Sequence, residues 1–175
     1  MTMRQTLTAT ADATAPSDLE TLYVRHAPSA LRFAYFLSGD QETAMDLVQD
    51  AFVRVAGRFR HLRQPDGFDA YLRRTIVNLN ASRLRRLKVE RSSLAREAAY
   101  PVVAAVERDP GVSQELWQAI LDLPPRQRAA IVLRFYEDLS EPQAADILRC
   151  SVKALNQLVV RAMKTLRARI GEDPS

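Results

Sequence analysis

Apolar residues recur every three or four positions along most of the chain, the period of a helix with one buried face. The earliest strong stripe carries Leu19, Leu22, Tyr23, His26, Ala30, Leu31, Ala34 and Leu37. It stops at Ser38-Gly39-Asp40, where Gly39 suits the residue after a helix end and Asp40 the cap of the next helix. The second helix turns Ala44, Leu47, Val48, Ala51, Phe52, Val55 and Phe59 inward, and Glu42, Asp46, Gln49 and Asp50 outward. A turn-rich interruption at residues 61–69, HLRQPDGFD, separates it from a third helix with Phe68, Tyr71, Leu72, Thr75, Ile76, Leu79, Leu84 and Leu87 on its apolar side.

Periodicity then fades across residues 88–113, which contain Pro101, Pro110 and Gly111. Beyond that stretch, Leu116, Trp117, Ile120 and Leu121 form an amphipathic segment leading to Leu123-Pro124-Pro125. Trp117 is expected in a core. Pro125 can open a further helix whose apolar residues are Ala129, Ile131, Val132, Leu133, Phe135 and Tyr136.

The stretch from Ser140 to Arg169 is the most specific in the chain. Ser140 and Gln143 have the spacing of a capping box, with Pro142 in the first turn, so a helix starts there. Ala144, Ala145, Ile147 and Leu148 give that helix a short apolar side, and Arg149-Cys150-Ser151 breaks the rhythm before Ser151 caps a second helix. The second helix buries Val152, Leu155, Val159, Ala162, Met163 and Leu166. Its other side carries Lys153, Asn156, Gln157, Val160, Arg161 and Lys164, among them residue types that bond base edges or phosphates. The pattern predicts a helix-turn-helix with its recognition helix second.

Charge sharpens this reading. From Arg149 to Arg169 there are six Lys or Arg and no acid, whereas Glu137 to Asp146 holds four acids and no base. A helical hairpin with a solvated basic face is the plainer alternative, but a segregated basic helix is what phosphate attraction requires. A second basic run, Arg73 to Arg91, has seven Lys or Arg against Glu90 alone, beside Tyr71, Asn78, Asn80 and Ser82. Such a surface can hold a phosphate backbone and stack or bond unpaired bases. Two basic surfaces on tethered units can add their binding through effective concentration.

Composition narrows the classes. The 175 residues are 47% hydrophobic with only five glycines, enough for folded helical cores. The expected architecture is all-α: two small helical domains joined by a flexible linker, the second containing the helix-turn-helix. The boundaries read as a flexible lead over 1–17, a first domain over 18–88, a linker over 89–112 and a second domain over 113–170. No apolar run approaches a membrane span and the first residues lack a signal-peptide core, so membrane insertion is not expected. A single cysteine fits a cytoplasmic setting, and Cys150 in the helix-turn-helix corner reads as a small packed thiol. His26 falls on the apolar stripe as a satisfied core residue. His26 and His61 flank no evident nucleophile, metal-ligand spacing is lacking, and no glycine-rich phosphate loop occurs, so neither catalysis, metal nor cofactor is expected.

Several segments together resemble the bacterial extracytoplasmic-function sigma factors, a group of the sigma-70 family. They are Asp46-Leu-Val-Gln-Asp-Ala-Phe52, Tyr71-Leu-Arg-Arg-Thr-Ile-Val-Asn78 with Leu84-Arg-Arg86, and Leu123-Pro-Pro-Arg-Gln-Arg128 leading to Arg134-Phe-Tyr-Glu-Asp-Leu-Ser140. The resemblance covers Asp18 to Arg169. It implies that Asp46, Gln49 and Asp50 bind core RNA polymerase. It places His61, Arg63, Tyr71, Asn78, Arg83 and Arg86 on the melted minus-ten element of promoter DNA, and Ser151, Lys153, Asn156, Gln157, Arg161 and Lys164 on the duplex minus-thirty-five element. An anti-sigma factor would be a third partner. The family often has Trp in place of Tyr71 and Gly in place of Arg149, where a non-glycine residue at positive φ costs about 1 kcal/mol. The turn is therefore expected to take a different shape, and the segment from Ser151 to Gln157 also departs from the usual pattern. A stand-alone dimeric helix-turn-helix regulator is the chief rival reading, and an anti-sigma or adaptor protein a third. The acidic face from Asp46 to Asp50 and the two-domain layout disfavour the regulator, which needs neither.

Overall fold

The computed structural model describes residues 18–59, 66–93 and 111–171. Their regular elements are all helical: α1 (Asp18–Ser38), α2 (Gln41–Phe59), α3 (Asp66–Ser93), α4 (Gln114–Leu121), α5 (Pro125–Ile131), α6 (Glu141–Leu148) and α7 (Val152–Ile170). A π-helical turn over Val132–Tyr136 extends α5. The all-helical class is the one the periodicity predicts.

The first three helices pack on one another. Gly39, at φ 75°, ends α1, and the Asp40 carboxylate accepts a hydrogen bond from the Thr43 backbone N–H at 2.8 Å to cap α2. Phe33, Val55, Phe68, Leu72 and Ile76 are sealed between these helices. Phe33 and Phe36 lie off the stripe expected for α1 yet are buried, while Tyr23, which lies on it, is half-exposed and meets Phe52 edge-on. The cause is that α1 packs against α4 and α5 as well as α2 and α3, so its buried side is broader than one stripe.

The interruption expected over 61–69 is shorter at its far end, because Asp66 to Asp69 already form the first turn of α3 around the buried Phe68. Residues 61–65 lie outside the described residues. At its other end α3 continues to Ser93, so residues 89–93 of the expected linker are helical. An i,i+4 pair between Arg86 and Glu90 at 3.9 Å lies on this extension. Residues 94–110 of the expected linker, and the expected lead over 1–17, also lie outside the described residues.

In the second half, Ser113 caps α4 and Pro125 opens α5. The π turn bonds the Glu137 N–H to the Val132 carbonyl, five residues back, at 2.9 Å. One extra residue in the turn shifts the register of the side chains, so Val132 and Leu133 stay buried whereas Phe135, expected inside, is 61% exposed. The capping box of Ser140 and Gln143 is formed, with both reciprocal bonds present. Arg149 takes the left-handed conformation at φ 49° and ψ 53°. The expectation of a differently shaped turn is therefore corrected: the corner keeps its positive φ and Arg149 bears the strain. The Ser151 hydroxyl accepts from the Ala154 N–H and starts α7, whose buried residues are Leu155, Ala162 and Leu166; Val152, expected inside, is exposed.

The two halves are in contact and share one core. Tyr35 stacks on Trp117 with ring centres 4.8 Å apart, and Phe36 packs on both Trp117 and Tyr136. A Cβ on Gly39 would lie 2.9 Å from a Leu121 methyl carbon, so glycine there serves the close approach as well as the turn. The Leu37 carbonyl accepts from Arg128 of α5 at 2.6 Å and from Asn80 of α3 at 3.4 Å. Burial lowers the Arg128 pKa against the opposing pull of Asp122. Arg73 joins the halves most directly, pairing with Asp69 on its own helix and with Glu137 after the π turn. Its burial opposes its charge, but Glu137 and then Asp69 outweigh that and hold its pKa up. Arg74 pairs with Asp146 of α6 beside it.

Candidate nucleic-acid interface

Three surfaces carry the residues singled out by the sequence. On α2, Asp46, Gln49 and Asp50 are all exposed, as expected from their place opposite the buried Leu47, Val48 and Ala51. Their face also includes Met45, 53% exposed, and Val53, 69% exposed, at positions linked by steps of three and four. Neither belongs to the polar set expected on that face. Their signal in the sequence is an apolar residue on the polar side of an amphipathic helix. Apolar groups rimmed by polar and acidic ones suit a docking face.

On α3 the basic run divides. Arg73 is buried and Arg74 half-buried, each turned to an acid of the second half. Asn80 is buried and bonds the Leu37 carbonyl, which corrects its reading as part of a nucleic-acid surface. Tyr71 is half-buried and its hydroxyl accepts from Arg58 at 3.0 Å. Asn78 and Arg86 are exposed and Arg83 half-buried along the same helix. His61 and Arg63 lie outside the described residues. His26, half-buried, places Nδ1 3.3 Å from an Asp69 carboxylate oxygen and packs on Phe68, the satisfied structural role expected of it.

On α7 the recognition face is open. Ser151, Lys153, Gln157, Arg161 and Lys164 are exposed, and Val160 is 68% exposed among them. Asn156 differs: it is half-buried, and its Nδ2 donates to the Glu141 carboxylate at 3.0 Å. Cys150 is half-buried in the corner. On the other side of α7 an apolar groove of about 550 Å³ is lined by Phe36, Leu116, Phe135, Met163 and Ile170. Among the described residues no helix is long and apolar enough to cross a membrane. No cluster of three His, Cys, Asp or Glu among them is arranged to hold a metal ion.

The family profile of Sigma-70 region 2 matches residues 22–89, which spans α1 to α3, and that of Sigma-70 region 4 matches residues 113–166, which spans α4 to most of α7. The RNA polymerase sigma-E factor of Streptomyces coelicolor is 33% identical over 147 residues, covering 83% of this chain and 82% of that protein. The ECF RNA polymerase sigma factor SigE of Mycolicibacterium smegmatis is 32% identical over 167 residues; 91% of this chain is covered, but it spans only 64% of that longer relative. Among solved structures, the sigma factor RpoE of Bartonella quintana in complex with the anti-sigma factor NepR matches 90% of this chain and 99% of its own with a TM-score of 0.76 and 23% identity, a likeness of fold. With both profiles in order on the two helical halves, and relatives of this identity across most of its length, the chain belongs to the extracytoplasmic-function group of the sigma-70 family of RNA polymerase sigma factors.

Proposed function

We propose that the chain directs core RNA polymerase to promoters, reading the minus-thirty-five element as duplex and the minus-ten element as a melted strand. The observation that carries this is the opposite character of two exposed surfaces: the acidic and apolar face of α2, and the basic amide-bearing face of α7. Asp46, Gln49 and Asp50, with Met45 and Val53, dock on the polymerase. Ser151, Lys153, Gln157, Arg161 and Lys164 enter or flank the major groove with Asn156, and Tyr71, Asn78, Arg83 and Arg86, with His61 and Arg63, hold the opened strand. The chain contributes binding energy and no catalytic group. An anti-sigma factor is a further partner of this reading, supported by the complex in which the Bartonella relative was solved.

Bipartite reading imposes a geometric condition. Elements about 25 base pairs apart are separated by roughly 85 Å of duplex at about 3.4 Å per step. A compact body of about 150 residues has a radius of gyration near 15 Å. The packed halves cannot span that distance, so the contacts of Trp117 with Tyr35 and of Arg73 with Glu137 must part when both elements are held. Transcription by core polymerase from a promoter-bearing template, with and without the chain, tests the function. Promoter-specific transcripts are expected; tight dimeric binding to duplex with no polymerase association would sink the reading and favour the stand-alone regulator. Fluorophores at Arg32→Cys and Ala168→Cys, in a Cys150→Ser background, are expected to show energy transfer in the free chain and its loss in the promoter complex.

A further inference from the structure

We propose that Glu141 is a positioning residue for base recognition, fixing the orientation of the Asn156 amide so that the pair reads one base pair as a unit. This rests on the α7 reading proposed above. The Asn156 Nδ2 donates to a Glu141 carboxylate oxygen at 3.0 Å, across the gap between the start of α6 and the recognition helix. The backbone holding Glu141 is itself fixed, because Ser140 and Gln143 form a complete capping box around it. The direction in which its side chain leaves the backbone is therefore set, and the bond to Asn156 holds its far end.

A carboxylate accepts hydrogen bonds and cannot donate one. The Asn156 amide must therefore turn its nitrogen to Glu141, leaving Oδ1 and the second Nδ2 hydrogen for a ligand. One acceptor and one donor side by side match the N6 amino group and N7 of adenine in the major groove. Without the carboxylate the amide can rotate by half a turn, which exchanges donor and acceptor and blurs that match. The exposed neighbours Lys153, Gln157 and Val160 place the half-buried Asn156 at the edge of the open face.

The charge of Glu141 makes the inference specific. It is an acid bonded into a face whose own helix carries Lys153, Arg161 and Lys164. Near phosphates it can only weaken attraction, so its benefit lies in discrimination and not in affinity.

The test uses the holoenzyme reconstituted with core polymerase, selecting bound sites from random duplex. Asn156→Ala identifies the base pair at issue as the position where preference is lost. Glu141→Ala is expected to lose preference at that same position by about tenfold, with binding to non-specific DNA unchanged or stronger. Glu141→Gln, whose amide can donate as well as accept, lets the Asn156 amide face either way and is expected to lose preference at that position nearly as Glu141→Ala does. The double variant discriminates no worse than Asn156→Ala alone, since the two act as a unit. Preserved preference in Glu141→Ala, a uniform loss across all sequences, or additive losses in the double variant overturns the proposal. So does an Asn156→Ala chain with unchanged preference. A wild-type holoenzyme that selects no sequence overturns the promoter reading and this inference together, an outcome distinct from failure of Glu141 alone.

Discussion

α3 and α7 are both long, basic helices, and by residue count they look alike, yet the structure uses their charge in opposite ways. On α3 the first two arginines of the basic run turn toward the second half: Arg73 is buried between Asp69 and Glu137, and Arg74 meets Asp146. On α7, Lys153, Arg161 and Lys164 stand exposed. The difference lies in what faces each helix. Glu137 and Asp146 project from the second half onto α3, whereas the outer side of α7 faces solvent. A basic run in sequence therefore mixes structural arginines with free ones, and burial sorts them.

The sharpest way to break this contrast is Arg73→Ala. Glu137, whose side chain is only 8% exposed, would keep its burial and lose its partner. Removing one member of a buried pair costs about 3–5 kcal/mol. Urea unfolding is expected to show a loss of about 3 kcal/mol or more, while isolated duplex binding by the remaining folded chain stays near its original strength. A stable variant with weakened DNA binding would put Arg73 on the nucleic-acid side after all.

Arg161→Ala probes the other helix. Being exposed, Arg161 contributes little to folding but can neutralise a phosphate. Duplex binding should weaken about tenfold at every sequence, since a hydrogen bond to a charged group is worth about 1.5–3 kcal/mol, and the salt slope should fall by about 0.9. Gln157→Ala is the contrast: its loss is confined to particular sequences. Equal weakening of all sequences by Gln157→Ala would remove it from base reading.

The helices, the caps at Asp40, Ser140 and Ser151, and the exposed faces of α2 and α7 were legible because they depend on local spacing. The partnership between the halves was not. Phe36 and Trp117 each fit a helical stripe or its margin, but nothing in their spacing says that they meet. Arg73 reads as one more cation in a basic run until Glu137, 64 residues away, is brought to it. The outward turn of Phe135 depends on a π turn that carries no simple sequence signal. Glu141 reads only as one of four acids opposite a basic helix, because its bond to Asn156 crosses from one helix to the next. Local rules expose the surfaces; long-range pairing decides which charges remain on them.

Arg149→Gly bears on how α7 is aimed. Arg149 holds φ 49° at the corner, where glycine avoids the steric cost of a Cβ. The substitution is expected to stabilise the fold by about 0.5–1 kcal/mol, the left-handed strain relieved less the entropy that glycine brings to the unfolded chain. Thermal unfolding measures it, and a destabilised variant would mean that the exposed Arg149 side chain makes a contribution larger than the strain it carries.

The smallest expected effect concerns Asp40, which connects the cap of α2 to the basic side of α3. Hydrogen bonds from the Thr43 side chain and then its backbone lower the Asp40 pKa, burial opposes them weakly, and Arg83 adds a further lowering pull. Because the folded-state pKa lies below the unfolded one, the carboxylate stabilises the fold above the unfolded value, and that contribution is lost as pH falls through the folded value. Asp40→Asn keeps a good cap, so at neutral pH it should change stability by only about 0.5 kcal/mol, and the acid-side decline should flatten. Arg83→Ala in the wild-type background separates the two sources: if Arg83 serves mainly the opened DNA strand, the acid limb of the curve hardly moves, whereas a clear shift would place Arg83 with Arg73 among the arginines of α3 committed to the fold.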